Sequence, residues 1–535
     1  MKKLEKELLN SPSGPFWKPI GIYPHHGINL PLSSLHSKNS CGIGEFYDLL
    51  PVIDWCQKLK LDVIQLLPLN SSEYDPSPYN AIASCALNFL NISLHSLPEL
   101  EQLPKLKKQL KEFNHLSNIQ RLNYAEVQTH KLSWLRAYFD AVGDTVLKSH
   151  ETKNFISKNS WVETYALFKS IKDDLANAPI STWPSHLKNP SDAERKELLN
   201  AKRSHIDFHI FLQYLCFSQM TAVKKYANAR GVFLMGDVPI LLSMESADVW
   251  EHPEFFDTHL TAGAPPDFYT PEGQCWGFPL FQWDVLRKDH FSWWKRRLYY
   301  ASHFYNLYRI DHIIGFFRIW AVPPNHSCKE GFFVPDDESL WEGQGRELLT
   351  MMNEASPMLA IGEDLGVVPP IVRPILEEMG ICGTKVMRWE RNWETDQSFI
   401  NIKDYPPISL TTLSTHDSET LQLWWKTFPE EATVLAKEKH WTYALDLTLS
   451  QRKELLFDSH HTSSLFHINL LQEYLALFPD LVWDHPEDER INIPGTILPT
   501  NWTYRFRPSI EEIVAHPELF QAIQEILFSK ERART

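Results

Sequence analysis

The sequence predicts an α/β chain closed into a (β/α)8 TIM-type barrel with helical and loop insertions. Three observations carry that expectation. Short apolar runs alternate with amphipathic helical stretches along most of the 535 residues, which is the repeat of a parallel α/β fold. The apolar runs number about eight, which favours a closed barrel over an open sheet. Three of them end on an acid in a similar setting: RIDH with Asp311, GEDLG with Glu363 and STHD with Asp417. In a barrel the C-terminal ends of the strands share one mouth, so these acids would converge there.

The elements follow in order. Residues 1–19 read as a short helix and a Pro-bounded lead-in. IGIYPHHGINL begins the first strand near residue 20 and runs into a Gly/Ser/Pro-rich loop. FYDLLPVIDWCQKLK has the helical period, with Leu49, Val52, Ile53, Cys56 and Leu59 on one face. LDVIQLLPLN is a buried strand stopped by Pro68. The loop after it, SSEYDPSPYNAIASCALN, leaves a strand's C-terminal end, where α/β proteins place ligands. From 98 to 205 the character changes to amphipathic helices, with Leu103, Leu106, Leu110 and Phe113 as one stripe. We expect a single catalytic domain over 1–535, with barrel core about 20–97 and 206–505, and a helical insertion subdomain at 98–205 whose charged residues form a solvated surface. The helix FHIFLQYLCFSQMTAVKKYANAR resumes the repeat, and Gly231 stops it. VFLMGDVPILL, with Asp237 near its end, is the next strand. After a loop dense in Trp, Phe, Pro and Asp come the helix FSWWKRRLYYASHFYN and the Asp311 strand. MLAIGEDLG, TKVMRW and PISLTTLSTHD are later strands, and the apolar stretch LFPDLVWD completes the count.

Composition bounds the partners. Hydrophobic residues make up 43% and charged residues 22%, an ordinary globular balance. The net charge of −15 argues against a general binder of nucleic acid or anionic membrane, both of which need a basic surface. No apolar run approaches membrane-spanning length. MKKLEKELLNSPSG lacks the apolar core of a secretion signal, so cytoplasm is the expected compartment. The seven cysteines form no C-x-x-C pair, which suggests a reducing compartment and mostly buried free thiols. The 19 Trp would suit stacking on sugar rings, but a large core uses Trp equally well.

The acids carry the chemistry. In YNLYRIDHIIGFFRIW, Arg309 and Asp311 point to the same side of a strand, because side chains alternate. Such a pair is costly to bury unless something uses it. Taken singly it reads equally well as a structural ion pair, Glu363-Asp364 as acids at a helix N-terminus, and His416-Asp417 as a turn pair. Three such acids at strand ends point instead to glycosidic-bond chemistry, which needs one ionised and one protonated carboxyl group. Burial and like charge raise the pKa of the second, while Arg309 and His416 offset part of the charge. A metal centre fits less well, since H-x-H, H-E-x-x-H and compact Asp clusters are missing. No phosphate loop or dinucleotide fingerprint is visible, so neither metal nor organic cofactor is expected.

The motifs SPYN, GDVPILLSMESADVW, GAPPDFYTPEGQCWGFPLFQWD, YRIDHIIGFFRIW, GEDLG, STHDSET and INIPGT occur in this order. With them the chain resembles the amylomaltases, the 4-α-glucanotransferases of the disproportionating-enzyme family. The resemblance is weakest over 98–205 and the last 30 residues. It implies Asp311 as nucleophile, Glu363 as general acid/base and Asp417 as transition-state stabiliser. It further implies that Arg309, Asp237 and His416 bind the donor sugar, that Tyr79, Asp267, Gln274 and Trp276 line neighbouring subsites, and that Asn492 sits near the mouth. The implied partners are maltose, malto-oligosaccharides and glycogen- or starch-like glucans, handled by a monomer or homodimer. Many relatives carry Trp-Gly-Asn-Pro and His-Asp-Asn-Asp where this chain has Trp276-Gly277-Phe278-Pro279 and His416-Asp417-Ser418-Glu419. The wording is more similar to the plant cytosolic branch, without room for that branch's N-terminal starch-binding modules. Two rival readings remain: a retaining α-glucan hydrolase using the same acids, and a catalytically silent glucan-binding protein.

Overall fold

A computed structural model describes residues 2–72, 74–117, 119–267 and 269–529. Eight strands run parallel in one sheet: β1 (His25–Leu30), β2 (Val63–Leu66), β3 (Phe233–Val238), β6 (Leu307–Ile310), β9 (Leu359–Gly362), β10 (Gly383–Val386), β11 (Ser409–Thr412) and β12 (Phe466–Leu470). β1 pairs with both β2 and β12. An Ile361↔Cys382 bridge joins β9 to β10 and closes the ring, with the Gly362 amide donating to the Cys382 carbonyl at 2.8 Å. The barrel expectation therefore holds. Its strands are four to six residues long and nearly all buried, as strands covered on both faces should be.

The floor of the barrel is plugged. Leading residues of the strands, among them Val63, Met235, Leu307, Leu359 and Phe466, form an apolar layer with Trp17 and Leu8 from the two N-terminal helices. Trp17 Nε1 donates to the Gly380 carbonyl at 2.8 Å, which anchors that plug. With the floor packed among the described residues, the mouth is the end of the barrel axis left for chemistry.

Two excursions wall the mouth. After β3 the chain forms the hairpin β4 (Phe256–Ala264) and β5 (Gln274–Phe281); after β6 it forms β7 (Ile319–Val322) and β8 (Phe332–Val334). The four strands make a separate antiparallel sheet in the order β5-β4-β7-β8.

Two expectations need correction. LFPDLVWD is not a strand: it holds a 3-10 turn at Pro479–Leu481, and the eighth strand is FHINL, upstream of it. A proline has no amide to donate to a ladder, whereas Phe466–Leu470 is fully buried and runs straight into the helix Leu471–Leu475 without a loop to mark its end. The insertion's charges are not all solvated. Lys131, in the helix Tyr124–Lys148, is fully buried and donates to Glu45 Oε1 at 2.5 Å and to the Leu90 and Ile92 carbonyls. The cysteines are mostly buried free thiols, as expected, with one pair apart. Five are buried thiols, but Cys275 and Cys328 form a disulfide. Folding the two excursions together brings residues 53 apart in sequence to a Cα separation of 5.3 Å, within bridging range.

Candidate active site

Register positions the first group. Asp237 on β3 lies opposite Arg309 on β6, and Arg309 lies opposite Ile361 on β9, two residues before Glu363. Asp311 follows β6 and Glu363 follows β9, so both acids sit on the rim. Gly236 precedes Asp237 for a packing reason: a Cβ there would lie 2.4 Å from the Tyr305 ring.

Arg309 is the hub. Its Nη1 donates to Asp237 Oδ2 at 2.7 Å and to Asp311 Oδ1 at 2.9 Å, and its Nη2 lies 3.8 Å from Glu363 Oε2. One guanidinium thus touches the acids from three strands. Tyr79 Oη donates to Asp237 Oδ2 at 2.7 Å. Asp237 Oδ1 is buried without a partner among the described residues.

Glu363 Oε2 accepts the His312 amide at 2.7 Å. Burial first, then the charge of Asp311, raises Glu363 to about 8 against the pull of Arg309. Burial likewise raises Asp237 to about 6, with Arg309 again opposing. Asp417 goes the other way. Burial pushes it up, but His416, the Asn492 hydrogen bond and Arg309 outweigh that and bring it to about 2.

Asp417 belongs to a second group in the turn after β11. Asn492 Nδ2 donates to its Oδ1 at 2.7 Å. His416 Nε2 stands 3.2 Å from its Oδ2 without a hydrogen-bond partner among the described residues. Ring contacts join the two groups: Tyr79 stacks on His416 at 5.3 Å, and Trp502 packs against both.

The hairpin supplies the remaining wall. Trp276 meets the His312 ring edge-on at 4.9 Å, beside Asp311, and its Nε1 donates to Gln274 Oε1 at 3.1 Å. Asp267 stands apart. Its Oδ1 accepts from the Tyr269 and Thr270 amides and from Thr270 Oγ1, so this oxygen fastens its own loop. Ten of the eleven residues singled out from sequence thus share one connected cluster.

Sequence reasoning missed three contributors. His312 lies in the left-handed region at φ 49°, which aims its amide at Glu363. Trp502 lies in a polar stretch with no period to mark it. Glu419 is held by Arg388 at 2.8 Å and Arg490 at 2.5 Å, and Arg490 also donates to the Asp417 and Asn492 carbonyls. The only signal for Glu419 was its departure from the Asp of many relatives. Asp364 is no helix-terminus acid. It is buried and accepts from the Thr384 amide and Arg373 Nε, latching β9 to β10.

Fold and site together define a barrel enzyme of the carboxylate class that acts on glycosidic bonds. The family described as 4-alpha-glucanotransferase matches residues 30–511. A 4-alpha-glucanotransferase of Chlamydia pneumoniae is 46% identical over 525 residues, covering 98% of this chain and 99% of that one. The 4-alpha-glucanotransferase DPE2 of Oryza sativa is 24% identical and covers 95% and 70%. Among solved structures, the amylomaltase of Streptococcus agalactiae in complex with acarbose superposes with a TM-score of 0.80 at 23% identity, over 94% of this chain and 98% of that one, a likeness of fold. The chain belongs to the 4-alpha-glucanotransferase family.

Proposed function

We propose that this 4-α-glucanotransferase works by retaining double displacement, with Asp311 as nucleophile, Glu363 as general acid/base and Asp417 as stabiliser of the charged transition state. The observation that carries the reading is the Arg309 bridge: one guanidinium contacts Asp311 and reaches Glu363, while burial keeps the proton on Glu363.

Asp311 attacks C1 of an α-1,4-linked glucosyl unit, and Glu363 gives its proton to the departing oxygen. A β-glycosyl-enzyme forms, and the shortened glucan leaves. The 4-hydroxyl of a second glucan enters, Glu363 takes its proton, and a new α-1,4 bond forms. Asp237, Arg309 and His416 hold the donor sugar; Tyr79, Gln274, Trp276 and, from its own loop, Asp267 line neighbouring subsites, with Asn492 near the mouth. Donors and acceptors are maltose, malto-oligosaccharides and glycogen- or starch-like chains. The whole chain acts as one catalytic domain, with residues 98–205 as its helical insertion. No helix among the described residues is long and apolar enough to cross a membrane; a cytoplasmic monomer or homodimer is part of the same reading.

The purified protein incubated with maltotriose alone tests it. A ladder of longer oligomers plus glucose is the expected result. Glucose and maltose alone make the chain a hydrolase, and no turnover with maltotriose, or with maltose plus glycogen, makes it a silent binder.

A further inference from the structure

We propose that the chain carries a second, non-catalytic site for a borderline divalent metal such as Zn²⁺, built from His115, Glu126 and His130. Glu126 and His130 are four residues apart on the helix Tyr124–Lys148, hence on one face. His115 comes from the short helix Asn114–Ser117 packed beside it. Its Nε2 lies 3.3 Å from Glu126 Oε1, and His130 Nε2 lies 4.0 Å from the same oxygen. All three donor atoms fall within 4.8 Å of one another. A zinc ion with bonds of about 2.0–2.1 Å needs its donors a little over about 3 Å apart. Small rotamer shifts of three side chains that are between 39% and 57% exposed close that gap.

The surrounding hydrogen bonds carry the argument further than spacing does. His115 Nδ1 lies 2.6 Å from the Glu112 carbonyl oxygen, which can only accept. Nδ1 therefore carries a proton, and Nε2, which faces Glu126 Oε1, is the nitrogen placed to bind a metal. The same 3.3 Å contact can be bridged by a proton or by a metal ion. Asn123 Nδ2 donates to Glu126 Oε2 at 2.6 Å, which leaves Oε1 as the ligating oxygen. A histidine whose other nitrogen donates to a carbonyl, and a carboxylate whose other oxygen is hydrogen-bonded, are how metal ligands are oriented. Two imidazoles and one carboxylate select Zn²⁺, Ni²⁺ or Cu²⁺ over Mg²⁺ or Ca²⁺. The fourth position is left to water.

The location gives such an ion a consequence. Between His115 and Glu126 the chain holds the segment that carries Asn492 and Trp502. Arg121 donates to the Arg490 and Asp488 carbonyls at 3.1 and 2.7 Å, and the Leu122 amide donates to the Thr503 carbonyl at 2.8 Å. A metal joining residue 115 to residues 126 and 130 closes the loop that grips this segment.

Zn²⁺ titrated calorimetrically into the chelator-stripped full chain at neutral pH tests the site. One saturable site is expected, with no heat from Mg²⁺. His115→Ala and His130→Ala, both at the surface, should each lose it. Asn123→Ser keeps the helix cap but removes the amide donor, and should weaken Zn²⁺ by about 10- to 100-fold. The unfolding midpoint should rise with Zn²⁺ in the wild type and stay flat in the His115→Ala/His130→Ala chain. Absence of saturable Zn²⁺ heat, or an isotherm unchanged in either single variant, overturns the proposal in favour of a proton-bridged surface cluster.

Discussion

The proposed double displacement calls for Glu363 to carry a proton while Asp311 attacks, and one guanidinium lies within reach of both. On Glu363 burial is the leading cause of the raised pKa. Arg309 donates to Asp311 directly but stands farther from Glu363, which burial raises to about 8. A general acid works below its pKa and fails above it, so activity should fall as pH rises through about 8. The kcat/KM of maltotriose disproportionation against pH would show this alkaline limb. Glu363→Gln should remove the limb and cut turnover by roughly 10²- to 10⁴-fold; a limb that survives unchanged belongs to another group. Asp311→Asn should abolish turnover with the fold intact, as checked by circular dichroism beside the assay. The acids and Arg309 were legible because strand ends announce them. His312 was not, because its part is played by a backbone amide in a conformation that costs about 1–2 kcal/mol and leaves no mark in residue spacing. Trp502 was hidden for a related reason: a loop brings it to the site by tertiary contacts alone.

At the scale of elements, the β4–β5 hairpin carries the proposed acceptor platform, Trp276. Cys275 ties the start of β5 to the turn between β7 and β8, next to Gln274 and Trp276. Transfer requires a sugar to outcompete water, which an ordered aromatic platform favours. Trp276→Ala should raise the ratio of hydrolysis to transfer. Cys275→Ser, or reduction of the wild type by a dithiol, should do so less strongly. Product analysis by size settles the matter, and a ratio unmoved in all three removes the platform role. The Lys131 anchor makes a second element-level case. Lys131→Met leaves the Glu45 carboxylate buried and unpaired, at a cost of about 3–5 kcal/mol. Lys131→Met with Glu45→Gln should recover part of it in denaturant unfolding; equal losses would deny that the charge is the cause. This segment's charges read as solvated from the sequence, although Tyr124, Val127, Lys131, Trp134, Leu135 and Tyr138 form one buried stripe in which a lysine needs a partner. The partner itself lies 86 residues away, beyond what periodicity can reach.

At the scale of the whole barrel, closure has left imidazoles near its floor. His26 on β1 is the register partner of His467 on β12, and the rings stack at 5.0 Å. His26 Nδ1 lies 2.9 Å from His460 Nδ1, and His460 Nε2 lies 2.6 Å from Tyr474 Oη. Burial lowers His26 to about 3, His467 to about 4, and His460 well below the usual histidine range. An unfolded histidine titrates near 6.5, so below that pH the unfolded chain binds protons that the folded barrel refuses. Stability supplied by the neutral rings is therefore complete above about 6.5 and declines as pH falls toward about 4. Glu45, Glu363 and Glu473, raised to about 7 or 8, pull the opposite way over the same range. The wild-type slope is the sum of both sets, so one histidine must be isolated by difference. His467→Gln should cost stability at neutral pH, where it loses the stacked ring. Relative to the wild type it should then gain on the order of 3 kcal/mol between about pH 6.5 and 4, the equivalent of the shift it removes. Urea unfolding of both chains across that range measures the difference. A gap constant in pH would mean that His467 is protonated with little penalty in the folded barrel, and that the floor is wetter than its packing indicates.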